Sequence, residues 1–197
     1  MAEQGLYADG DRGVRRLTVP ELRVKDQDLD GVQAEVLYGV LGASGRLDDD
    51  DAATEMLRIY NGWLGDFCEG YQDRFAGLAS IPSHSVVDAL QEIERVAERG
   101  VLKGIEVANS HEMAPLFDPS WEPLWALAEE AKLPVHYHTI GPRMDYNFEE
   151  LGPLQRRQAF AVHITGVQLA MSKILMELLY GGVLESHPNL KVVIGES

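Results

Sequence analysis

Two histidines stand two residues apart in "PVHYHTIGP", His136 and His138, just after Pro134. On a β-strand, residues i and i+2 project from the same face, so both imidazoles can converge on one cation or one substrate. Imidazole nitrogen binds zinc and similar divalent ions well, but a working site needs about three protein ligands and an open position. The pair alone is equally compatible with chance. Two carboxylates have a comparable status. Glu106 in "GIEVA" and Glu196 in "VIGES" lie within or at the end of apolar runs, where an unpaired charge is costly. Each is either functional or metal-bound, or it meets an arginine or lysine from a nearby loop.

The remaining histidines carry less. His84 follows a strand end and could line the same mouth or serve the next helix start; His111 in "ANSHEMAP" could face a site or solvent. His163 on a helix and His187 before Pro188 read as structural. The acidic run Asp48 to Asp51 resembles a cation site, but acids in a first helical turn favourably oppose the helix dipole, which is the preferred reading.

These residues must be held by elements, and the chain alternates strand with helix. A helix starts at Pro20 and stops near Gly31, and "EVLYGVLG" reads as a buried strand. The segment from Leu47 reads as a helix, followed by the strand "FAGLASIP". Next comes a helix with Val87, Leu90, Ile93 and Ala97 on one face and a stop at Gly100. The strand "LKGIEVA", a helix capped by Ser120, the strand "PVHYHT", a helix from about Gln158 to Leu184 and the strand "KVVIGE" complete the series. Alternation of this kind implies parallel strands with right-handed crossovers, in a doubly wound sheet or a TIM barrel. Both place their sites at the C-terminal ends of the strands, where His138 falls. Five strands are too few for an eight-stranded barrel, so the sheet is either open or part of something larger. The division expected is an arm at residues 1–19 and one domain over 20–197.

No Gly-x-Gly-x-x-Gly follows a strand, and no Gly-x-Ser-x-Gly elbow is present, so dinucleotide binding and serine-hydrolase chemistry lack support. A net charge of −15 disfavours nucleic acid and anionic membrane as partners. The most apolar long stretch, Ile164 to Leu184, carries Lys173 and Glu177 and reads as too amphipathic to span a membrane. Cys68 is the sole cysteine, which fits a reducing cytoplasm. The long segment Thr139 to Gln158 follows His138 directly. There Arg143 and Tyr146, with Arg156 and Arg157, could bind an acidic substrate, or the segment is a solvated loop or oligomer contact.

The stretches "LDGVQAEVLYGVLG", "YQDRFAGLASIP", "LFDPSWEPLWALAEEAKLPVHYHTIG" and "YGGVLESHPNLKVVIGES" together resemble the amidohydrolase-related family. Its members are metal-dependent TIM-barrel hydrolases and decarboxylases of the aminocarboxymuconate-semialdehyde decarboxylase type. The resemblance implies an incomplete barrel, about strands two to six of eight, with the His pair on the fifth strand. It makes His138 the fifth-strand metal ligand and puts His136 behind it, as a second ligand or a supporting residue. Glu196 falls where many members carry an acid/base histidine and takes the catalytic role here. The implied cofactor is a divalent metal, zinc first and manganese second, and the implied substrate a small carboxylate. The first-strand ligand pair and the last-strand aspartate have no counterpart in the chain. The rival expectation is therefore a non-catalytic α/β fragment that binds or oligomerises. Exposed apolar barrel edges make a homodimer plausible.

Overall fold

The computed structural model describes residues 12–13, 15–39, 47–107, 113–138 and 147–195. Five strands form one parallel sheet: β1 (Glu35–Leu37), β2 (Phe75–Ile81), β3 (Gly104–Val107), β4 (Val135–Tyr137) and β5 (Val192–Ile194). Their spatial order is their chain order, 1-2-3-4-5, and every neighbouring pair is parallel. A doubly wound sheet reverses direction at a switch point. This one never reverses, which is the winding of a barrel wall.

Helix α1 (Pro20–Asp30) precedes β1, and α2 (Asp50–Glu69), α3 (Val86–Arg99), α4 (Glu122–Glu130), α5 (Pro153–Tyr180) and the short α6 (Val183–Ser186) fill the crossovers. The apolar core lies between helices and sheet. Phe75, Ala79 and Ile81 of β2, Ile105 and Val107 of β3, and Val135 and Tyr137 of β4 are buried with Leu64, Ile93, Trp125 and Leu178 from the helices. On β2–β4 the alternate positions Ser80, Glu106 and His136 are aligned across the sheet by register and form a polar row on the opposite face. That row is the feature of the fold that matters for chemistry.

Local signals explain most boundaries. Asp49 accepts a hydrogen bond from the Ala52 amide at 2.9 Å and caps α2, with Asp50 and Asp51 in its first turn, so the acidic run is a helix start. Ser85 caps α3, and Gly100 ends it in the left-handed conformation at φ 69°. Val87, expected on the buried face of α3, points outward; Ala89, Ile93 and Val96 form the inner stripe instead. Ser120 is not a cap. The Asp118 carboxylate takes that role by accepting from the Ser120 amide at 2.9 Å, which starts a short 3-10 turn leading into α4. α5 begins earlier than expected, because Pro153 suits a first helical position where no N–H is needed. It ends at Tyr180, and Gly182, left-handed at φ 76°, restarts the chain as α6.

α5 also departs from the amphipathic expectation. Met171, Ile174 and Leu178 enter the core, yet Phe160, Val162, Leu169, Met176, Leu179 and Tyr180 are exposed, so the helix is apolar on most sides. By length and composition alone it could cross a membrane. Glu177 ties it to the rest of the protein by accepting the Leu116 amide at 2.9 Å, and within the helix Lys173 pairs with Glu177 at 3.2 Å.

One buried side chain stands in for a piece of sheet. β1 pairs with β2 only as far as Leu37 opposite Gly77. Further along β2, the Asn61 carboxamide from α2 donates to the Ser80 carbonyl at 2.9 Å and accepts the Ser80 amide at 2.8 Å. Its NH2 group also donates to Glu92 at 2.8 Å, which Arg95 neutralises. The amide thus supplies the donor and acceptor a neighbouring strand would offer. Asn61→Ala would leave both Ser80 backbone groups unpaired in the interior. We expect a loss of about 2–6 kcal/mol of unfolding free energy in urea titrations, given about 1–3 kcal/mol per orphaned group.

Candidate active site

His136 lies on β4 and His138 immediately follows it, at the C-terminal end of the parallel sheet. Tyr38, just beyond β1, reaches both. Its hydroxyl shares a 3.1 Å hydrogen bond with His136 Nδ1. The ring centroids lie 5.5 Å apart for His136, edge to face, and 5.0 Å apart for His138, tilted. In a flat sheet, β1 and β4 would be separated by three inter-strand spacings, about 14 Å. One tyrosine side chain spans the gap, so the sheet curls and its polar row faces a concave interior.

Glu106 occupies the middle of that interior and is fully buried. Its Oε2 accepts the Gly39 amide at 2.7 Å, while Oε1 has no hydrogen-bond partner among the described residues. Burial pushes its carboxyl above the ordinary glutamate range, against the opposing pull of the Gly39 amide. Among the described residues no arginine or lysine bonds it. Ser80 Oγ, next in the row, is likewise buried without a partner among the described residues. The approach of the β1 end is close: a Cβ on Gly39 would collide with Ser80 Oγ and lie 3.0 Å from Glu106 Oε2. A side chain there would have to displace the Ser80 hydroxyl.

Burial also lowers the basicity of His136 and raises the Tyr38 phenol, which stays neutral and able to donate. With Nδ1 committed to Tyr38, His136 retains Nε2 for any further partner.

The other sequence-selected residues fall elsewhere or outside the described residues. His84 bonds Thr54 Oγ1 at 3.0 Å on the exposed side, away from the row. His187 is a structural clamp, as expected: it lies between Glu129 (3.2 Å) and Glu122 (3.0 Å) at the N-terminal end of the sheet. It borders a cleft of about 900 Å³ that also includes Pro134 and Lys191. That end of a barrel carries stability rather than catalysis. Arg156 spends its guanidinium on the Leu151 and Glu149 carbonyls, at 2.7 and 2.9 Å, and secures the start of α5. Glu196, Arg143, Tyr146 and His111 lie outside the described residues. Tyr38 went unremarked in the sequence, although "LYG" beside a strand end was its one trace.

His138 and His136 have the chemistry of metal donors. Two imidazoles are fewer than such a centre needs, and no group of three or more His, Cys, Asp or Glu residues suited to a metal occurs among the described residues. The described residues therefore hold no complete donor set.

The family model described as amidohydrolase matches residues 15–197. The chain belongs to the amidohydrolase family. Two curated relatives are decarboxylases. The 2-amino-3-carboxymuconate-6-semialdehyde decarboxylase of Dictyostelium discoideum is 24% identical over 88% of this chain and 46% of its own length. The gamma-resorcylate decarboxylase of Rhodococcus jostii is 26% identical over 97% of this chain and 59% of its own length. This amidohydrolase chain thus spans about half the length of the curated relatives it matches. Among solved structures, a 5-carboxyvanillate decarboxylase from Novosphingobium aromaticivorans with bound manganese superposes at a TM-score of 0.71. It is 22% identical, with 96% of this chain and 55% of that one covered. A 2,6-dihydroxybenzoate decarboxylase from Rhizobium superposes at 0.68, 22% identical over 87% of this chain and 54% of that one. The fold is accordingly a curled portion of the amidohydrolase TIM barrel, as the family resemblance implied.

The raised Glu106 carboxyl has a consequence for stability. The unfolded chain releases this proton at lower pH than the folded one, so folding loses stability as pH rises from the ordinary glutamate range through the raised value. Glu106→Gln lacks that loss. Paired urea titrations across acid to neutral pH should show wild-type stability falling relative to Glu106→Gln over this window, and a flat difference would refute the assignment.

Proposed function

We propose that the chain forms part of the active site of a metal-dependent carboxy-lyase acting on a small aromatic or unsaturated carboxylate. The observation that carries this reading is the placement of His138, with His136 and Tyr38, at the C-terminal mouth of an amidohydrolase barrel wall. The decarboxylase identity of the relatives favours carbon dioxide loss over hydrolysis. A manganese-bound neighbour brings manganese level with zinc as the proposed ion.

In this reading His138 is a ligand to the ion and His136 a second ligand or its support. A bound divalent ion would supply positive charge beside the substrate's anionic groups. Arg143 and Tyr146 are proposed to bind the substrate carboxylate, Arg by paired N–H donors. The C–C bond to the carboxylate breaks, carbon dioxide leaves, and the ring or chain carbon takes a proton, for which Glu196 is the proposed donor. Helix α5, apolar on its outer sides, makes a homodimer the proposed assembly.

Metal analysis tests the reading. Protein exposed to manganese or zinc and then desalted should retain one ion per chain, and His138→Ala should weaken binding by more than about 100-fold, beyond what loss of a supporting residue costs. Carbon dioxide release from 2,6-dihydroxybenzoate or 5-carboxyvanillate by the loaded protein separates decarboxylation from hydrolysis. Absence of stoichiometric metal, or indifference to His138→Ala, would overturn the proposal.

A further inference from the structure

Tyr38 has more partners than packing alone requires. Its ring touches both imidazoles, its hydroxyl bonds His136 Nδ1, and it reaches β5, where a Cβ on Gly195 would stand 3.1 Å from its Oη. The peptide unit joining Tyr38 to Gly39 is held at both ends. Its carbonyl accepts the Tyr60 hydroxyl at 3.4 Å from α2, and its N–H donates to Glu106 Oε2 at 2.7 Å from β3. A buried carboxyl is costly to keep, and this one spends a charge-capable oxygen on a single backbone amide. The cost makes sense if that peptide must not rotate.

The geometry points to Tyr38 as a positioning residue that sets the ring orientation of His136 and His138, with Glu106 acting through the Gly39 amide to hold Tyr38 in place. Tyr38 occupies one nitrogen of His136 and presents the other, Nε2, to the interior, which decides the atom by which His136 can serve a ligand. This rests on the proposed function for its importance to metal binding, but the orientation itself does not. Glu106 acts through the backbone, its Oε2 accepting the Gly39 amide.

The test uses the full chain with 15N-labelled histidine, reading ring-nitrogen resonances and tautomers by long-range 1H–15N spectra, and manganese affinity by titration. Tyr38→Phe removes one oxygen and keeps the ring. It should change the His136 nitrogen pattern and weaken manganese binding about 10- to 100-fold. Glu106→Gln keeps an acceptor for the Gly39 amide and should leave the histidine resonances nearly as in wild type, whereas Glu106→Leu should shift both histidines. A folded Tyr38→Phe protein with unchanged His136 resonances overturns the inference, and so does Glu106→Gln matching Glu106→Leu. Should Glu106→Leu fail to fold, Tyr38→Phe and Glu106→Gln still decide. If the wild type binds no manganese, the proposed function fails, while the nitrogen resonances still judge the positioning role.

Discussion

Curvature is the constraint on which the rest depends. A parallel sheet whose strands follow in chain order could lie open, with its first and fourth strands far apart. Here the Tyr38 hydroxyl meets His136 across that distance, so the polar row of Ser80, Glu106 and His136 looks into a concavity. The twist of each strand relative to the next supplies the bend. Helices on the convex side keep it by burying Phe75, Ile81, Ile105, Val135 and Tyr137 against one wall of apolar side chains. Chemistry on the inner face is then a matter of which polar groups the register aligns.

Those inner groups are unequal in how they are satisfied. His136 has a tyrosine, and one Glu106 oxygen has a backbone amide. Ser80 Oγ and the other Glu106 oxygen have no bond among the described residues. Structural polar groups in a core are usually fully paired. Those two atoms lie side by side on the inner face near the two histidines, while Gln27 Oε1, Tyr137 Oη and His163 Nδ1 are buried without a bond among the described residues elsewhere. By contrast, His187 at the opposite end is bonded on both nitrogens and simply ties α4 to the approach of β5.

Much of this was legible in the residues, for physical reasons that can be named. β2 and β3 announce themselves as apolar runs because both are interior strands of a covered sheet. α3 is bounded by Ser85 and Gly100, whose side chain and lack of one are matched to helix ends. The His-x-His spacing fixed a common face without any structure. Val87 misled because helical periodicity gives an apolar stripe but not which edge of it meets the core. Ser120 misled because a cap is defined by its backbone, and Asp118 two residues earlier has the extended conformation that suits one. Tyr38 was invisible for a deeper reason: its partner lies 98 residues away, and no local pattern encodes a contact that exists only after the sheet bends.

Asn61 has a consequence beyond the bonds it makes. By offering the Ser80 backbone a donor and an acceptor, it seals the flank of β2 past the end of β1. The chain beyond Leu37 is thereby released from pairing duty, and Tyr38 and Gly39 can leave the plane of the sheet and turn inward. Where the wall stops and where the interior begins are thus set by different residues. A change at Tyr38 or Gly39 can then reshape the inner face without unzipping the wall, because a helix already guards that seam.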